Sequence, residues 1–448
     1  MEKYNEYKNS GIEWLGKIPK HWELDRVKNI GTVRARVGWK ALKASEYVKS
    51  GYFFLSTPNI KYVNIDYENV NYITEERYYE SPEIMLKNGD ILLVKDGSTL
   101  GIVNIVQNLK KEGTVNSSIG ILRLKKQYSK YFFYFFKSNY LQNIIGLKKE
   151  GMGVPHLFQK DINNFILTIP SLKEQTQIAN YLDAKTTAID KKITLLEQKI
   201  RHYRAYRKMV INEIVTKGLE NDFSKWVSCR LKDIGYLYSG LSGKSGNDFN
   251  QDDNPNNRGF IPFTNIANNT YLDQNHLGTV VIEEKEKQNQ VRKNDIFFLM
   301  SSEGYEDIGK SAVLIEDIEE TYLNSFCKGF RITNKNCEAS FINYLLFSDS
   351  YRQKMLVEGK GFTRINLKME KVNNFSILIP PTKKEQQQIA DYLDTKTTTI
   401  DKIINNIEAQ ITMLKELRKT LINEVVTGKV KVTSTSLSHQ KASNQPIV

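Results

Sequence analysis

Residues 174–193, EQTQIANYLDAKTTAIDKKI, recur almost unchanged at 385–404 as EQQQIADYLDTKTTTIDKII. Sliding the chain by 211 residues aligns 174–216 with 385–427 without a gap, and 24 of these 43 positions are identical. Self-similarity over such a window is far above chance and identifies an internal duplication. The globular segments before the two copies repeat more faintly. We therefore predict one unit used twice, a globular segment followed by a long helical region.

Each helical region is predicted to contain a coiled-coil seam. A short helix is predicted near 172–183, after which Thr187–Asp190 fits a helix-capping box, as does Thr398–Asp401 in the second copy. A long helix then continues to about Val215 in the first copy and Val426 in the second. Its apolar residues recur at alternating intervals of four and three positions. The predicted seam positions are Ile189, Ile193, Leu196 and Ile200 in one helix and Ile400, Ile404, Ile407 and Ile411 in the other.

One further position of each seam holds an arginine, Arg207 in the first helix and Arg418 in the second. A polar residue on a seam can fix the register of two helices, but an arginine near a helix end can also extend its charge into solvent. Both interpretations stay open. The seams span ~29 residues, or about 43 Å, and two of equal length pack most simply on each other. An antiparallel pair would place the globular segments at opposite ends, about one helical turn of B-DNA apart.

The composition indicates a cytoplasmic protein of several domains. At 448 residues and 40% hydrophobic content, the chain is too long for a single core. Its longest strongly apolar stretch, Tyr131–Phe136, is far shorter than the ~20 residues that cross a membrane, and no membrane contact is expected. Cys229, Cys327 and Cys337 are widely spaced without a CxxC pair, so neither a disulfide framework nor a metal site is predicted.

The formal net charge of +13 favours a polyanionic partner such as DNA. The charge is uneven, because residues 1–168 contain 25 basic and 17 acidic side chains, whereas residues 221–378 contain 19 and 21. The second globular segment is therefore not basic overall. DNA binding there would require a local patch of positive charge.

Candidate DNA contacts lie on loops, where polar side chains can reach base edges. In the first copy they occupy a basic segment at 34–43, a loop at 95–101 and a glycine-flanked loop at 151–156, and the second copy has comparable segments. Each loop could also be a surface turn without DNA contact. Lys360 and Arg364 stand out because they place positive charge in an acidic domain. The predicted DNA contacts are Arg34, Arg36, Lys40, Lys43, Lys95, Ser98, Thr99, His156, Lys244, Ser301, Ser302, Lys310, Lys360 and Arg364.

Gly304–Ser311 satisfies the phosphate-binding pattern GxxxxGK[ST], and the apolar run Ile296–Met300 precedes it like a strand. However, Glu306 and Asp307 would place negative charge in the loop that must hold phosphates. The following Ala312–Asp317 is predicted to be a strand, whereas a phosphate loop requires a helix N-terminus there. We therefore predict no nucleotide site. The scattered histidines and the lack of a methyltransferase loop complete a prediction of no catalytic residues.

Several stretches resemble the DNA-specificity subunit of type I restriction–modification enzymes. They are YKNSGIEWLGKIPKHWELDRVKNIG (7–31), IPSLKEQTQIANYLDAKTTAID (169–190), IPPTKKEQQQIADYLDTKTTTID (379–401) and INEVVTGKV (422–430). The resemblance extends to about Val432, and the paired motifs in this order are specific. It implies an α+β fold, in which two mixed α/β target-recognition domains are separated by two long antiparallel helices that form a coiled coil with pseudo-two-fold symmetry.

The resemblance also implies how the chain divides. We predict target-recognition domains at 1–168 and 221–378, a central conserved helical region at 169–220, a distal one at 379–432, and a flexible tail at 433–448. Each target-recognition domain would read one half of a split, asymmetric site in double-stranded DNA.

The helices of such a subunit hold the two domains at a fixed separation and dock two methyltransferase subunits, which carry S-adenosylmethionine and methylate adenine. Motor–nuclease subunits hydrolyse ATP with Mg²⁺ and cut DNA, and the specificity subunit itself contains no cofactor and catalyses nothing. The alternative is a two-armed helical scaffold that binds proteins. Salt-sensitive DNA binding would distinguish the two.

Overall fold

The computed structural model describes residues 2–36, 42–148, 155–251, 254–305, 307–359 and 364–433. The chain forms two compact units. Unit 1 comprises Met1–Leu196 with Ala409–Val448, and unit 2 comprises Glu197–Glu408. Each unit thus contains one globular segment and a part of both long helices. From residue 434 onward, the predicted tail lies outside the described residues.

Unit 1 combines short strands with short helices. Its strands are β1 (Tyr7–Asn9), β2 (Lys17–Pro19), β3 (Glu23–Arg26), β4 (Gly31–Arg34), β5 (Tyr52–Leu55), β6 (Asn71–Ile73), β7 (Ile91–Val94), β8 (Val103–Ile105), β9 (Gly113–Val115), β10 (Ile119–Leu124) and β11 (Ile166–Ile169). Its helices are α1 (Val27–Ile30), α2 (Glu75–Tyr79), α3 (Ser129–Phe136), α4 (Asn139–Lys148), α5 (Gln159–Asn164) and the first part of α6 (Leu172–Lys217).

The central sheet of unit 1 is antiparallel, with strand order β4-β10-β7-β8, and a smaller sheet has the order β6-β5-β9. Strand β7 is buried on both faces. Ile91 and Leu93 belong to a core shared with α3 and α6, whereas Leu92 and Val94 belong to a second core that includes residues of β5. This burial explains why β7 is a continuous apolar run and does not alternate between apolar and polar residues.

Unit 2 repeats this architecture. Its strands are β12 (Val227–Arg230), β13 (Gly235–Ser239), β14 (Asn257–Ile261), β15 (Gly278–Val281), β16 (Ile296–Leu299), β17 (Ser301–Ser302), β18 (Ser311–Val313), β19 (Thr321–Leu323), β20 (Cys327–Ile332), β21 (Ile365–Asn366) and β22 (Ser376–Ile379). Its helices are α7 (Leu231–Ile234), α8 (Phe263–Asn268), α9 (Ala339–Phe347), α10 (Asp349–Val357), α11 (Met369–Asn373) and most of α12 (Lys383–Val426). The central sheet β13-β20-β16-β18 corresponds strand for strand to that of unit 1, and β15-β14-β19 corresponds to the smaller sheet. The duplicated α+β fold is confirmed.

Residues that are identical in the two helical copies attach each globular segment to its helix. In unit 1 the Tyr134 hydroxyl donates to Asp183 Oδ1 at 2.6 Å and lies 3.1 Å from the hydroxyl of buried Thr186. In unit 2 the Tyr344 hydroxyl donates to Asp394 Oδ1 at 2.7 Å in the same way. These carboxylates and hydroxyls would be costly to bury without partners. The duplication therefore preserves the contact between each globular segment and its long helix as well as the helix itself.

A second contact between each globular segment and its long helix uses the glutamate that opens each helical copy. The Trp22 indole N–H donates to Glu174 at 3.3 Å, and the Trp226 indole N–H donates to Glu385 at 3.1 Å. Each indole is buried, so its single donor needs an acceptor. The carboxylates provide one at the first turn of each long helix, where negative charge is also favourable.

The predicted break between a short and a long helix is wrong, because α6 and α12 are both continuous. Threonines beside and within the predicted capping box of the second copy bond within the helix. Thr397 donates its hydroxyl to the Leu393 carbonyl at 2.7 Å, and Thr399 donates to the Thr395 carbonyl at 2.7 Å. Threonine can make such bonds without ending a helix. The sequence fits a helix-capping box, but packing against the neighbouring globular segment keeps each helix continuous at this point.

The predicted seam residues face the protein interior. Ile189 and Leu196 are half-buried. The remainder are buried, namely Ile193, Ile200, Ile400, Ile404, Ile407 and Ile411. Within unit 2, Arg204 pairs with Glu408 at 3.0 Å and Arg207 pairs with Asp401 at 3.1 Å. Residue numbers rise along one helix as they fall along the other, so the helices run antiparallel within this unit.

The corresponding arginine of unit 1 is deeply buried. Arg418 is 6% exposed, and its guanidinium lies 3.0 Å from Asp190 and 3.3 Å from the Tyr62 hydroxyl. The interpretation that this arginine extends its charge into solvent is therefore wrong for Arg418. The side chain of Arg207 in unit 2 is 19% exposed, and that of Asp401 is 47% exposed. The same residue pair thus occurs twice at different depths.

A glycine in left-handed conformation follows each long helix, Gly218 at φ 74° and Gly428 at φ 75°. A Cβ on Gly428 would lie 2.3 Å from Pro19 Cδ, whereas a Cβ on Gly218 would lie 3.3 Å from Trp226. We expect Gly218→Ala to cost about 1–2 kcal/mol from backbone conformation alone. Gly428→Ala should cost about 1–3 kcal/mol more, because Pro19 cannot move away. Urea unfolding of both variants checks this, and equal losses would contradict it.

Candidate nucleic-acid interface

Two predicted loops of unit 1 meet at one end of its central sheet. Residues 95–101 follow β7, and residues 155–158 lead into α5. The Gly97 N–H donates to the Pro155 carbonyl at 3.0 Å, and the Leu157 N–H donates to the Lys95 carbonyl at 2.8 Å. Backbone hydrogen bonds thus join two segments that are far apart in the sequence. Four predicted contacts are brought together here, namely Lys95, Ser98, Thr99 and His156.

The side chains of these loops differ in how freely they could meet DNA. Ser98 and Thr99 are exposed. The Lys95 ammonium lies 3.1 Å from Asp96, and only 12% of its side chain is exposed. Asp96 also pairs with His156. The two hydroxyls are therefore the exposed donors of the loop, whereas Lys95 and His156 each already contact Asp96.

Polar groups that the sequence reading missed lie beside this loop pair. Gln159 begins α5 and donates its amide to the Val33 carbonyl of β4 at 2.6 Å, which places Arg34 next to the loops. Lys160 lies 5.2 Å above the ring of Phe158. Arg34 and Lys160 are both exposed. A polar residue at the first helical position after a glycine-flanked loop was a signal that could have identified Gln159.

The basic segment at 34–43 does not act as one surface. Arg36 is 3% exposed and donates to the Val115 carbonyl at 3.2 Å. Burial, with a smaller contribution from the charge of Arg77, lowers the pKa of Arg36. Its guanidinium therefore faces the interior and not solvent, contrary to the surface position expected for it. Lys43 is exposed, and Lys40 lies outside the described residues.

Unit 2 brings its two loops together in the same way. Ser301–Ser302 pairs with Ile365–Asn366 as antiparallel strands. Arg364 precedes this pairing, 4.8 Å from the ring of Phe326 and 3.8 Å from Glu303. Ser301 is half-buried, Ser302 is buried, and Asn366 is exposed. Arg364 and Asn366 are thus the exposed donors of this loop pair, and the Asn366 amide also donates to the Arg364 carbonyl at 3.3 Å. Lys360 lies outside the described residues.

Two other predicted contacts of unit 2 are already neutralised. Lys244 pairs with Glu286, and only 8% of its side chain is exposed. The Lys310 ammonium lies 2.7 Å from Asp307. Either lysine would have to exchange a carboxylate for a phosphate on binding DNA. That exchange gains less than a contact made by a free ammonium group.

The match of Gly304–Ser311 to a phosphate loop does not correspond to that structure. Ser311–Val313 is a strand, antiparallel to β16, so no helix begins there. Lys310 is paired with Asp307 and is not directed at an open loop. The strand predicted at Ala312–Asp317 is confirmed only at its start, because the observed strand is Ser311–Val313.

Two absences hold for the part of the chain that the structure describes. No group of three or more His, Cys, Asp or Glu side chains is placed to hold a metal ion. No helix in the same ranges is long and apolar enough to cross a membrane.

A family model and several curated relatives match most of this chain. Residues 19–201 and 224–413 match the family model described as the type I restriction modification DNA specificity domain. The chain is 22% identical to the MjaVIII specificity subunit of Methanocaldococcus jannaschii, over 93% of this chain and 94% of that one. It is 23% identical to the StySPI specificity subunit of Salmonella potsdam, over 93% and 90%.

Solved structures share the fold. One, from a study titled for complex assembly and conformational transition of the type I R-M system, has a TM-score of 0.73 at 14% identity and covers 92% of this chain and 99% of that one. The HsdS subunit from Thermoanaerobacter tengcongensis has a TM-score of 0.54 at 14% identity and covers 92% and 98%.

Proposed function

Because the chain belongs to the type I restriction modification DNA specificity family, we propose that it recognises DNA for a type I restriction–modification enzyme. Each unit reads one half of a split, asymmetric site. The observation that carries this proposal is the loop pair found in both units, where polar side chains from distant segments meet at one end of the central sheet. The central sheets of the two units have corresponding strand orders, but the residues of their loops differ. Recognition of two different half-sites would require such a difference.

We divide the interface between base and phosphate contacts. Hydroxyls and amides that reach a groove can select bases, and we assign this role to Ser98 and Thr99 in unit 1 and to Asn366 in unit 2. Exposed cations position the duplex through its phosphates, and Arg34 and Arg364 suit that role. Because residues 221–378 contain more acidic than basic side chains, the position of Arg364 matters more there than that of any single cation in unit 1.

Specificity subunits are the non-catalytic components of these systems. Two methyltransferase subunits that carry S-adenosylmethionine are the proposed direct partners, and motor–nuclease subunits that use ATP and Mg²⁺ join through the complex. Large apolar side chains exposed on the long helices support docking. They include Leu195, Met413 and Leu417 in unit 1 and Tyr206 and Met209 in unit 2.

Selection from a pool of random duplexes tests the proposal, using the full chain together with its methyltransferase partner. We expect enrichment of one split motif and an affinity at least about 10³-fold above that for unselected DNA. Binding should weaken steeply as salt is raised. A complex that retains no duplex, or retains all duplexes equally, would contradict the proposal and favour the protein-binding scaffold.

A further inference from the structure

The loop pair of unit 1 occupies one end of the central sheet, and lysines occupy the other end. Strand β4 begins where β10 ends, since Gly31 pairs with Leu124. Strand β7 begins at the same end, since Ile91 pairs with both Leu122 and Ile105. The segments just before β4 and β7 and just after β10 and β8 therefore form one edge. Six lysines lie on these four segments, namely Lys28, Lys87, Lys110, Lys111, Lys125 and Lys126.

Side-chain and backbone bonds keep the four segments adjacent. The Lys125 N–H donates to the Ile30 carbonyl at 2.8 Å, which joins the segment after β10 to the segment before β4. The Leu109 N–H donates to the Asn88 side chain at 3.0 Å, which joins the segment after β8 to the segment before β7. Strands lie ~4.8 Å apart, so the row of lysines extends roughly 14 Å across the sheet. We call it the lysine edge.

The ammonium groups of the lysine edge have no carboxylate partner among the residues that the structure describes. All six lysines are exposed. None of them takes part in an ion pair with another residue in the described part of the chain. The same four segments contain only two carboxylates, Asp90 and Glu112, and Asp90 is held by Arg123 at 2.7 Å. The edge is therefore a concentration of free positive charge.

The matching edge of unit 2 shows that the fold does not require these lysines. The buried aspartate and its arginine recur there as Asp295 and Arg331, 2.6 Å apart, which fixes the correspondence. Segments 231–234, 292–295, 315–320 and 333–336 contain four basic and six acidic side chains. The sequence QNLKKE at 107–112 is replaced by IEDIEE at 315–320. Positive charge at this edge is therefore a property of unit 1 alone.

We infer that the lysine edge of unit 1 binds the phosphates of duplex DNA independently of sequence, at a second surface separate from the loop pair. Charge complementarity identifies the partner, because unpaired ammonium groups gain most from a polyanion through counterion release. A protein partner is less suited, since interface cores are poor in lysine and rich in aromatic residues. The edge lies at the far end of the strands from the loop pair. It therefore suits a flanking or a second segment of DNA.

Binding of a duplex without the selected motif tests this inference with the full chain. The test variant is Lys87→Gln with Lys110→Gln, Lys125→Gln and Lys126→Gln. The control variant removes the same amount of positive charge from unit 2, through Lys232→Gln, Arg292→Gln, Lys293→Gln and Lys335→Gln. We expect the salt dependence of the test variant to fall by about 3 in the log–log slope, with an affinity loss of at least about tenfold at low salt. The control should change the slope by less than about 1.

An unchanged slope in the test variant, or equal changes in the two variants, would overturn the inference, and an acidic protein would then be the better partner for the edge. Circular dichroism and thermal unfolding establish that both variants are folded. The outcome is separable from that of the proposed function. Sequence selection from random duplexes should be the same for the test variant and the unsubstituted chain, because the loop pair is intact.

Discussion

Replacing Arg418 with alanine is expected to destabilise unit 1 by about 2–3 kcal/mol, whereas Arg207→Ala should cost unit 2 less than about 1 kcal/mol. The two arginines occupy equivalent positions but differ in burial. Arg418 is 6% exposed and contacts both Asp190 and the Tyr62 hydroxyl. Its removal leaves a half-buried carboxylate without its partner. The Arg207 pair is more open to water, where ion pairs contribute little.

The neighbouring Lys137 reduces the expected loss of stability in unit 1. Burial, and after it the charge of Arg418, lowers the pKa of Lys137 to about 7. Removing Arg418 relieves this repulsion, so the loss should fall below that of a fully buried pair. Hydrogen–deuterium exchange reports the stability of each unit in the full chain. Changing both partners, as Arg418→Met with Asp190→Leu, should recover part of the loss. Equal losses for Arg418→Ala and Arg207→Ala would contradict the assigned depths.

The second large effect is expected in DNA sequence selection. Ser98→Ala combined with Thr99→Ala should weaken preference at one half of the split motif by roughly 10–100-fold and leave the other half unchanged. Arg364→Ala should weaken binding through the other half, because it removes an exposed cation from a globular segment that contains more acidic than basic side chains. Selection from random duplexes measures both halves at once.

Matched controls separate recognition from general damage. Thr399→Ala also removes a hydroxyl, but this one bonds within α12. Arg258→Ala also removes an arginine from unit 2, but this one pairs with Glu320 at 2.9 Å. Neither control should alter the selected motif. A loop variant that weakened both halves equally would show that the loops do not read separate half-sites.

Much of the fold could be predicted from local spacing. The seam intervals placed the long helices, since helical period is a property of neighbouring residues. The predicted break at Thr187 failed because capping is a weak local preference, worth about 1 kcal/mol. Packing of Tyr134 against Asp183 and Thr186 fixes the same turn of the helix from outside. A side chain some fifty residues away therefore overrides the local signal.

The interface was less predictable for a related reason. Asp96 and His156 are 60 residues apart in sequence but contact each other. The depth of Arg36 depends on Val115, which belongs to a strand far along the chain. Counting charges along a sequence does not reveal which of them are paired or buried. The lysine edge likewise becomes visible only when the strand order is known.

Sequencing of modified bases in genomic DNA, with and without this gene, tests whether this chain selects the site of adenine methylation. We expect methylated adenines to occur in one split, asymmetric motif and to disappear when the gene is deleted. Restoring the gene with Ser98→Ala and Thr99→Ala should alter the modified sequence in one half of the motif only. An unchanged pattern of adenine methylation after deletion would contradict the proposed function.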